Sequence, residues 1–178
     1  MIYSDQSLIT LKEQGYLPED VHIGPSSVDL TLSSSFCCIE AIEDQEIDIR
    51  IEQNFYEWSS TTILLKPNEF VLASTYEEIG VPIDCAAYVE GRSSVGRMGI
   101  QVQNAGFIDA GFRGQITLEI QNQSMFNVRL YSGMRICQLV YCQMTSPCFK
   151  PYDGKYQFQK GATFSRIHQD VEFYKNIL

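Results

Sequence analysis

The chain alternates apolar and polar residues over short stretches and seldom sustains a helical period. Val28, Leu30 and Leu32 alternate with Ser27, Asp29 and Thr31, the period of a strand with two unlike faces. Comparable runs predict strands over 61–65, 69–75, 86–90, 100–104, 115–120, 128–130 and 135–143. Turn signals fall between them: Pro67-Asn68, Val81-Pro82, Ala110-Gly111 and Ser132-Gly133. Near the start, Ser4-Asp5 precedes Leu8, Ile9 and Leu11, and Gly15 follows, which predicts a short helix. Residues 40–58 are acidic and mixed and read as a meander; 164–178 could hold another short helix. Many short strands at close spacing predict an all-β fold with short helices, a sandwich or barrel rather than a parallel sheet. No repeat or low-complexity linker breaks the chain, so 1–178 reads as a single domain with room for a core.

Composition narrows the function classes. The net charge of −9 lacks the cationic footprint of a nucleic-acid binder. A nucleotide remains admissible, because a few local cations and Mg2+ can hold a small polyanion inside an acidic protein. No run of about 18 apolar residues exists, so no membrane helix is expected. The start, MIYSDQSLIT, has neither the basic nor the apolar region of a signal peptide, and a cytoplasmic location is expected. Six cysteines, at 37, 38, 85, 137, 142 and 148, form no C-x-x-C pair and read as reduced thiols.

The chemistry concentrates in residues 90–122. G-R-S-S-V-G-R gathers Arg92, Ser93, Ser94 and Arg97 beside glycines, and guanidinium forks, hydroxyls and exposed amides are good phosphate ligands. A solvated loop is the alternative. Asp109 sits in N-A-G-F-I-D-A-G-F-R-G, read as a tight hairpin, where Phe107, Ile108 and Phe112 would desolvate it. Glu119 lies in I-T-L-E-I; alternation puts it with Thr117 on the face opposite Leu118 and Ile120, either wet or the wall of a pocket. Two distant histidines, His22 and His168, and a Pro147-Cys148 not followed by a second cysteine argue against the zinc deaminase signature. G-K-Y-Q-F-Q-K-G-A, 154–162, offers a lysine-bearing loop that could close over a phosphate tail.

Taken together, S-S-V-D-L-T-L (26–32), E-G-R-S-S-V-G-R (90–97), A-G-F-I-D-A-G-F-R-G-Q-I-T-L-E (105–119), R-I-C-Q-L-V (135–140) and G-K-Y-Q-F-Q-K-G-A resemble the dCTP deaminase family, which shares its fold with trimeric dUTPases. The resemblance implies a distorted β-barrel of jelly-roll character, assembled as a homotrimer with active sites between subunits. It implies that Glu119 activates water without zinc and that Asp109 sits at the sugar and the phosphate-side water. Arg92, Ser93, Ser94 and Arg97 would bind the triphosphate, with Gln138, Tyr152, Lys155 and Gln159 completing the grip and Mg2+ riding on the substrate phosphates. Ile116, Leu118 and Ile120 would help surround Glu119.

Within that family, Ala105-Gly106 before Phe107-Ile108-Asp109 favours the bifunctional members, which convert dCTP to dUMP, pyrophosphate and ammonia, because a bare position 106 leaves space near the α-phosphorus. A deaminase that releases dUTP, a dUTPase and a nucleotide-binding regulatory relative remain as alternatives. Asn104 stands where many relatives carry threonine, a position expected at the base or at the loop sensitive to dTTP, a candidate inhibitor. Phe112 is expected under the deoxyribose, excluding a 2′-hydroxyl.

Overall fold

A computed structural model describes residues 1–40, 46–103 and 106–170. Helix α1 spans Asp5–Glu13 and is followed by β1 (His22–Ile23), β2 (Val28–Ile39), β3 (Phe55–Ser59), β4 (Thr62–Leu65), β5 (Phe70–Gly80) and β6 (Cys85–Gly91). A one-turn helix α2 (Ser93–Gly96) leads to β7 (Ile100–Gln103), β8 (Phe107–Ile108), β9 (Arg113–Asn122), β10 (Val128–Tyr131) and β11 (Arg135–Gln143). Among the described residues, nine strands form one curled sheet whose main path runs β7-β9-β5-β2-β11-β6-β8, with β1 and β3 also pairing β2; β4 and β10 make a separate ribbon. All the pairings are antiparallel. The all-β prediction holds.

Two long strands bend the sheet. β2 pairs β11 through its first residues and β5 and β3 through its last, and its register with β5 slips between Leu32 and Phe36. The serine run fills the gap in the ladder: Ser33 and Ser74 share a 2.7 Å hydroxyl contact, and the Ser35 amide donates to Ser33 Oγ. β5 slips against β9 between Ser74 and Glu78. There Thr75 Oγ1 donates to the Glu77 carbonyl and accepts from the Ile116 amide. Side-chain hydroxyls thus satisfy backbone groups that a bulge would leave orphaned. These bends explain why the strands predicted over 27–32 and 69–75 run on to Ile39 and Gly80.

Curling encloses one core. Leu30, Leu32 and Phe36 from β2, Leu118 and Ile120 from β9, and Ile136, Leu139 and Tyr141 from β11 are essentially inaccessible. The Tyr141 hydroxyl donates to the buried Gly80 carbonyl at 2.8 Å, so its polar end is satisfied. Helix α1 closes one side with Leu8 and Leu11, three apart on one face. Gly15, at φ 77°, ends it as predicted, its amide bonded to the Lys12 carbonyl.

Four expectations change. The hairpin read over 104–114 does not form among its described residues: β8 pairs β6, while β9 pairs β5 and β7, so the residues between them turn a corner of the sheet. Phe55–Ser59 forms a strand inside the expected meander, stacking Trp58 on Phe36. G-R-S-S-V-G-R is a helical turn, with the Arg92 carbonyl accepting from the Val95 and Gly96 amides. In the tail, Ile167–Gln169 is a 3-10 turn; the rest of the expected helix, 171–178, lies outside the described residues. All six cysteines are free thiols. Among the described residues, no helix is long and apolar enough to cross a membrane.

Candidate active site

Strand β9 carries the acid. Its side chains alternate strictly: Ile116, Leu118 and Ile120 are buried on the core face, and Thr117 and Glu119 are half-buried on the other. Glu119 is flanked by Leu72 of β5 and Gln103 of β7 in the ladder. It lines a cavity of about 340 Å³, within the range of small-molecule sites. The walls come from Leu72, Gly106, Phe107, Ile108, Asp109, Phe112, Ile116, Thr117, Tyr152, Tyr156, Gln159 and the 163–165 segment. Burial pushes the Glu119 carboxyl above its ordinary value, since ionisation there must shed water. The pocket-wall reading of this face is therefore the one the structure adopts. Leu118 and Ile120, expected around the acid, lie across the sheet from it, because strand alternation sends them into the core; Ile116 does reach the cavity.

Asp109 borders the same cavity at the sheet corner. It is exposed rather than desolvated: Phe107 beside it is 65% exposed and gives no cover, and Phe112 turns inward. The corner itself is pinned. The Phe112 amide donates to the Asp109 carbonyl, the Gly111 amide to the Val81 carbonyl, and the Tyr152 amide to the Ala110 carbonyl. Gly111 has φ 91°, and a Cβ there would come within 2.6 Å of Pro151 Cβ. Phe112 packs tilted against Tyr152 at 5.9 Å between ring centres, placing two predicted substrate contacts on one wall. Gly106, at φ 28°, lines the cavity, while Asn104 and Ala105 lie outside the described residues.

The C-terminal arm covers the cavity. Gln157 accepts from the Arg113 amide and donates to the Gly111 carbonyl; Gln159 donates to the Gln115 carbonyl; Gln115 accepts from the Gly161 amide; and the Thr163 amide donates to Thr117 Oγ1. Phe164 stacks on Phe55 at 4.6 Å and also lines the cavity. Lys155 does not point at this space as a loose cation. Its Nζ donates to Asp170 Oδ1 at 2.5 Å and to the Arg166 carbonyl, because two acceptors of the same arm lie within reach.

The cationic cluster is elsewhere. Among the described residues, the cavity lining includes none of Arg92, Ser93, Ser94, Arg97 or Gln138. Ser93, Ser94 and Arg97 are exposed on α2. Arg92 Nε lies 3.5 Å from Asp29 Oδ1, and Gln138 Nε2 donates to Ser27 Oγ at 3.0 Å. The single chain thus keeps its carboxylate cavity and its cationic turn apart. Thr117, set beside Glu119 by alternation, lines the cavity as the pocket-wall reading expects, whereas Tyr156 and Phe164 were not assigned to it because their place depends on long-range docking of the arm.

Residues 2–144 match the dCTP deaminase-like family. A protein of Sulfurihydrogenibium sp. (strain YO3AOP1) named dCTP deaminase, dUMP-forming is 44% identical over 96% of this chain and 99% of its own length. A protein of the same name from Persephonella marina is 42% identical over 97% of this chain and 100% of its own. The chain belongs to the dCTP deaminase-like family. The fold agrees: the crystal structure of 2′-deoxycytidine 5′-triphosphate deaminase from Agrobacterium tumefaciens superposes with a TM-score of 0.62 at 21% identity over 79% of this chain, spanning about half (47%) of that chain.

Proposed function

We propose that the protein deaminates dCTP by hydrolysis and then cleaves the nucleotide between its α- and β-phosphorus, yielding ammonia, dUMP and pyrophosphate. The observation that carries this is Glu119, a half-buried carboxyl with a raised pKa in the wall of an apolar cavity large enough for a pyrimidine nucleoside. Water adds to C4 of cytosine, N3 takes a proton, and the amino group leaves as ammonia once protonated. One carboxyl whose pKa is moved toward neutrality can take the two protons of the attacking water in turn, passing the first to N3 and the second, from the C4 hydroxyl, to the leaving amine. The dUMP-forming reading is supported by the printed names of the near relatives and by Gly106, whose bare backbone lines the cavity beside Asp109.

The same reading makes the deamination independent of zinc, with Glu119 carrying the protons. Mg2+ enters with the substrate phosphates. The exposed Asp109 carboxylate is the hard oxygen donor at the cavity edge best suited to meet its water shell, and the ion would offset phosphate charge in the second step. Completion of the site requires a neighbouring protomer, whose Arg92, Ser93, Ser94 and Arg97 would supply the phosphate ligands absent from this chain's cavity wall. That need supports an assembly of copies, and the resemblance to trimeric dUTPases supports a homotrimer.

Incubation of pure protein with dCTP and Mg2+ tests the reading. Ammonia, dUMP and pyrophosphate in equal amounts are expected, with activity lost on chelating Mg2+ and kept on removing zinc. Stoichiometric dUTP without pyrophosphate overturns the second step. Release of pyrophosphate from dUTP with no ammonia from dCTP overturns the first.

A further inference from the structure

Asp29 is the one acid in S-S-V-D-L-T-L, and the site described above does not use it. Its side chain is 7% exposed, and an unpaired carboxylate at that depth would be costly. It is not unpaired. Arg135 Nη1 donates to Oδ2 at 2.9 Å, Arg92 Nε stands 3.5 Å from Oδ1, and His22 Nε2 lies 3.9 Å from Oδ2. The sheet brings these groups together from four places. Asp29 is opposite His22 of β1 and Gln138 of β11, Gln138 is opposite Glu90 of β6, and Arg92 follows β6 by one residue. One buried acid therefore ties strands β2 and β11 to the turn that begins α2.

The geometry points to Asp29 as a positioning residue for phosphate binding, one that aims the Arg92 guanidinium and brings Arg135 to the same end of the sheet. This rests on the reading of Arg92 as a triphosphate ligand. Three observations carry it. Arg92 meets Asp29 through Nε, and an arginine held at that edge presents its two terminal nitrogens as a fork for an oxyanion. The Arg92 backbone is held as well: its amide donates to the Ile136 carbonyl and its own carbonyl accepts from the Val95 and Gly96 amides of α2, so the side chain is anchored on β2 and the main chain on β11. Finally, one carboxylate serves two guanidiniums, which are 26% and 43% exposed, so the cluster keeps a cationic surplus facing solvent. Glu90 shares that face but is exposed, and among the described residues it makes no ion pair with either arginine. Glu77, the other buried acid nearby, is taken up by the Thr31 amide and hydroxyl at 2.8 and 2.7 Å.

The test is steady-state kinetics with dCTP, paired with inhibition by inorganic tripolyphosphate, which has no base or sugar. Asp29→Asn keeps the shape and removes the charge. Its KM for dCTP and its tripolyphosphate Ki are both expected to rise about tenfold, with kcat within about twofold. In an Arg92→Ala background the same change is expected to add less than about twofold, because the group it positions is gone. Unchanged KM and Ki in Asp29→Asn, with both raised in Arg92→Ala, overturn the proposal and leave the phosphate role of Arg92 standing. Unchanged values in Arg92→Ala overturn that role and the proposal with it. A fall in kcat at constant Ki marks Asp29 as structural only and also overturns it. Should Asp29→Asn fail to fold, Arg92→Ala and Arg135→Gln take its place: a shared carboxylate predicts that the double variant raises Ki by less than the product of the single effects, and independent effects overturn it.

Discussion

At position 119 a single carboxyl is asked to work between two protonation states, and its environment supplies the reason. Apolar walls from Leu72, Phe112 and Ile116 disfavour its charge and move its pKa up. Glu119→Gln cannot accept a proton from water, so ammonia release from dCTP should fall by at least about 10²-fold, the lower end of what general acid–base catalysis contributes. Stability should respond the other way. Because the folded pKa lies above the unfolded one, the folded protein holds the extra proton between the two values and loses stability as pH rises through that window. Below the ordinary carboxylate range both states are neutral and no cost exists. Thermal melts should therefore show Glu119→Gln more stable than the parent at neutral pH, with the gain shrinking as pH falls through that window towards the ordinary value of 4.5 and gone below it. A gain that persists unchanged at low pH would mean that desolvation is not its cause. Phe112 makes a second test at this scale. Its ring, on the cavity wall against Tyr152, is read as the surface beneath the sugar. Phe112→Ala should lower the preference for dCTP over CTP by about tenfold, the lower end of what apolar packing discriminates; CTP rejected as firmly as before would refute that placement.

At the scale of elements, the corner between β8 and β9 does the positioning. It sets Asp109 at the cavity edge and feeds Phe112 into the wall, and the C-terminal arm packs directly onto it. Gly111 is the weak point: at φ 91°, any side chain meets Pro151 and the Tyr152 amide at 2.6 and 3.0 Å. Left-handed backbone costs a non-glycine residue about 1–2 kcal/mol before any clash. In a chain of this length, Gly111→Ala should lower Tm by at least about 2 °C. It should also raise the protease sensitivity of the arm around Lys155, which is read by limited proteolysis; an arm as resistant as the parent's would show that the corner does not hold it. This corner also marks the limit of sequence reading. Alternation located the strands, because period two survives wherever one face is buried, and β11 was legible to its ends. Glycine, aspartate and aromatic residues in 105–114 resembled a hairpin because turn chemistry is local. Which strand each flank pairs with is decided by the curl of β2 and β5, and that depends on hydroxyls at Ser33, Ser74 and Thr75 that carry no pattern of their own.

For the whole molecule, the residues that sequence placed together the chain keeps on two surfaces. Glu119, Asp109, Phe112, Tyr152 and Gln159 converge on one cavity, and the Arg92 turn, with Gln138 close to Asp29, forms another. The resemblance implies sites between subunits, and although α2 precedes β7 and β7 pairs β9, pairing along a ladder constrains backbones and leaves Ser93 and Ser94 of α2 exposed. A cavity lined by an acid and aromatics has no arginine among its described walls, and the proposed function draws those cations from another copy. The native protein should then sediment at about three times the 20.3 kDa of one chain. Complementation is the sharper test. Glu119→Gln and Arg92→Ala each disable a different half of the site. If each site draws its acid from one protomer and its arginine from the next, mixed trimers assembled by co-refolding the two inactive variants contain some sites that are wild type on both sides. A one-to-one mixture should then recover activity on the order of a quarter of the parent's, since random assembly pairs an intact acid with an intact arginine at that frequency across neighbouring protomers. If acid and arginine instead served the same site within one chain, every site would carry one lesion and the mixture would stay as inactive as its components.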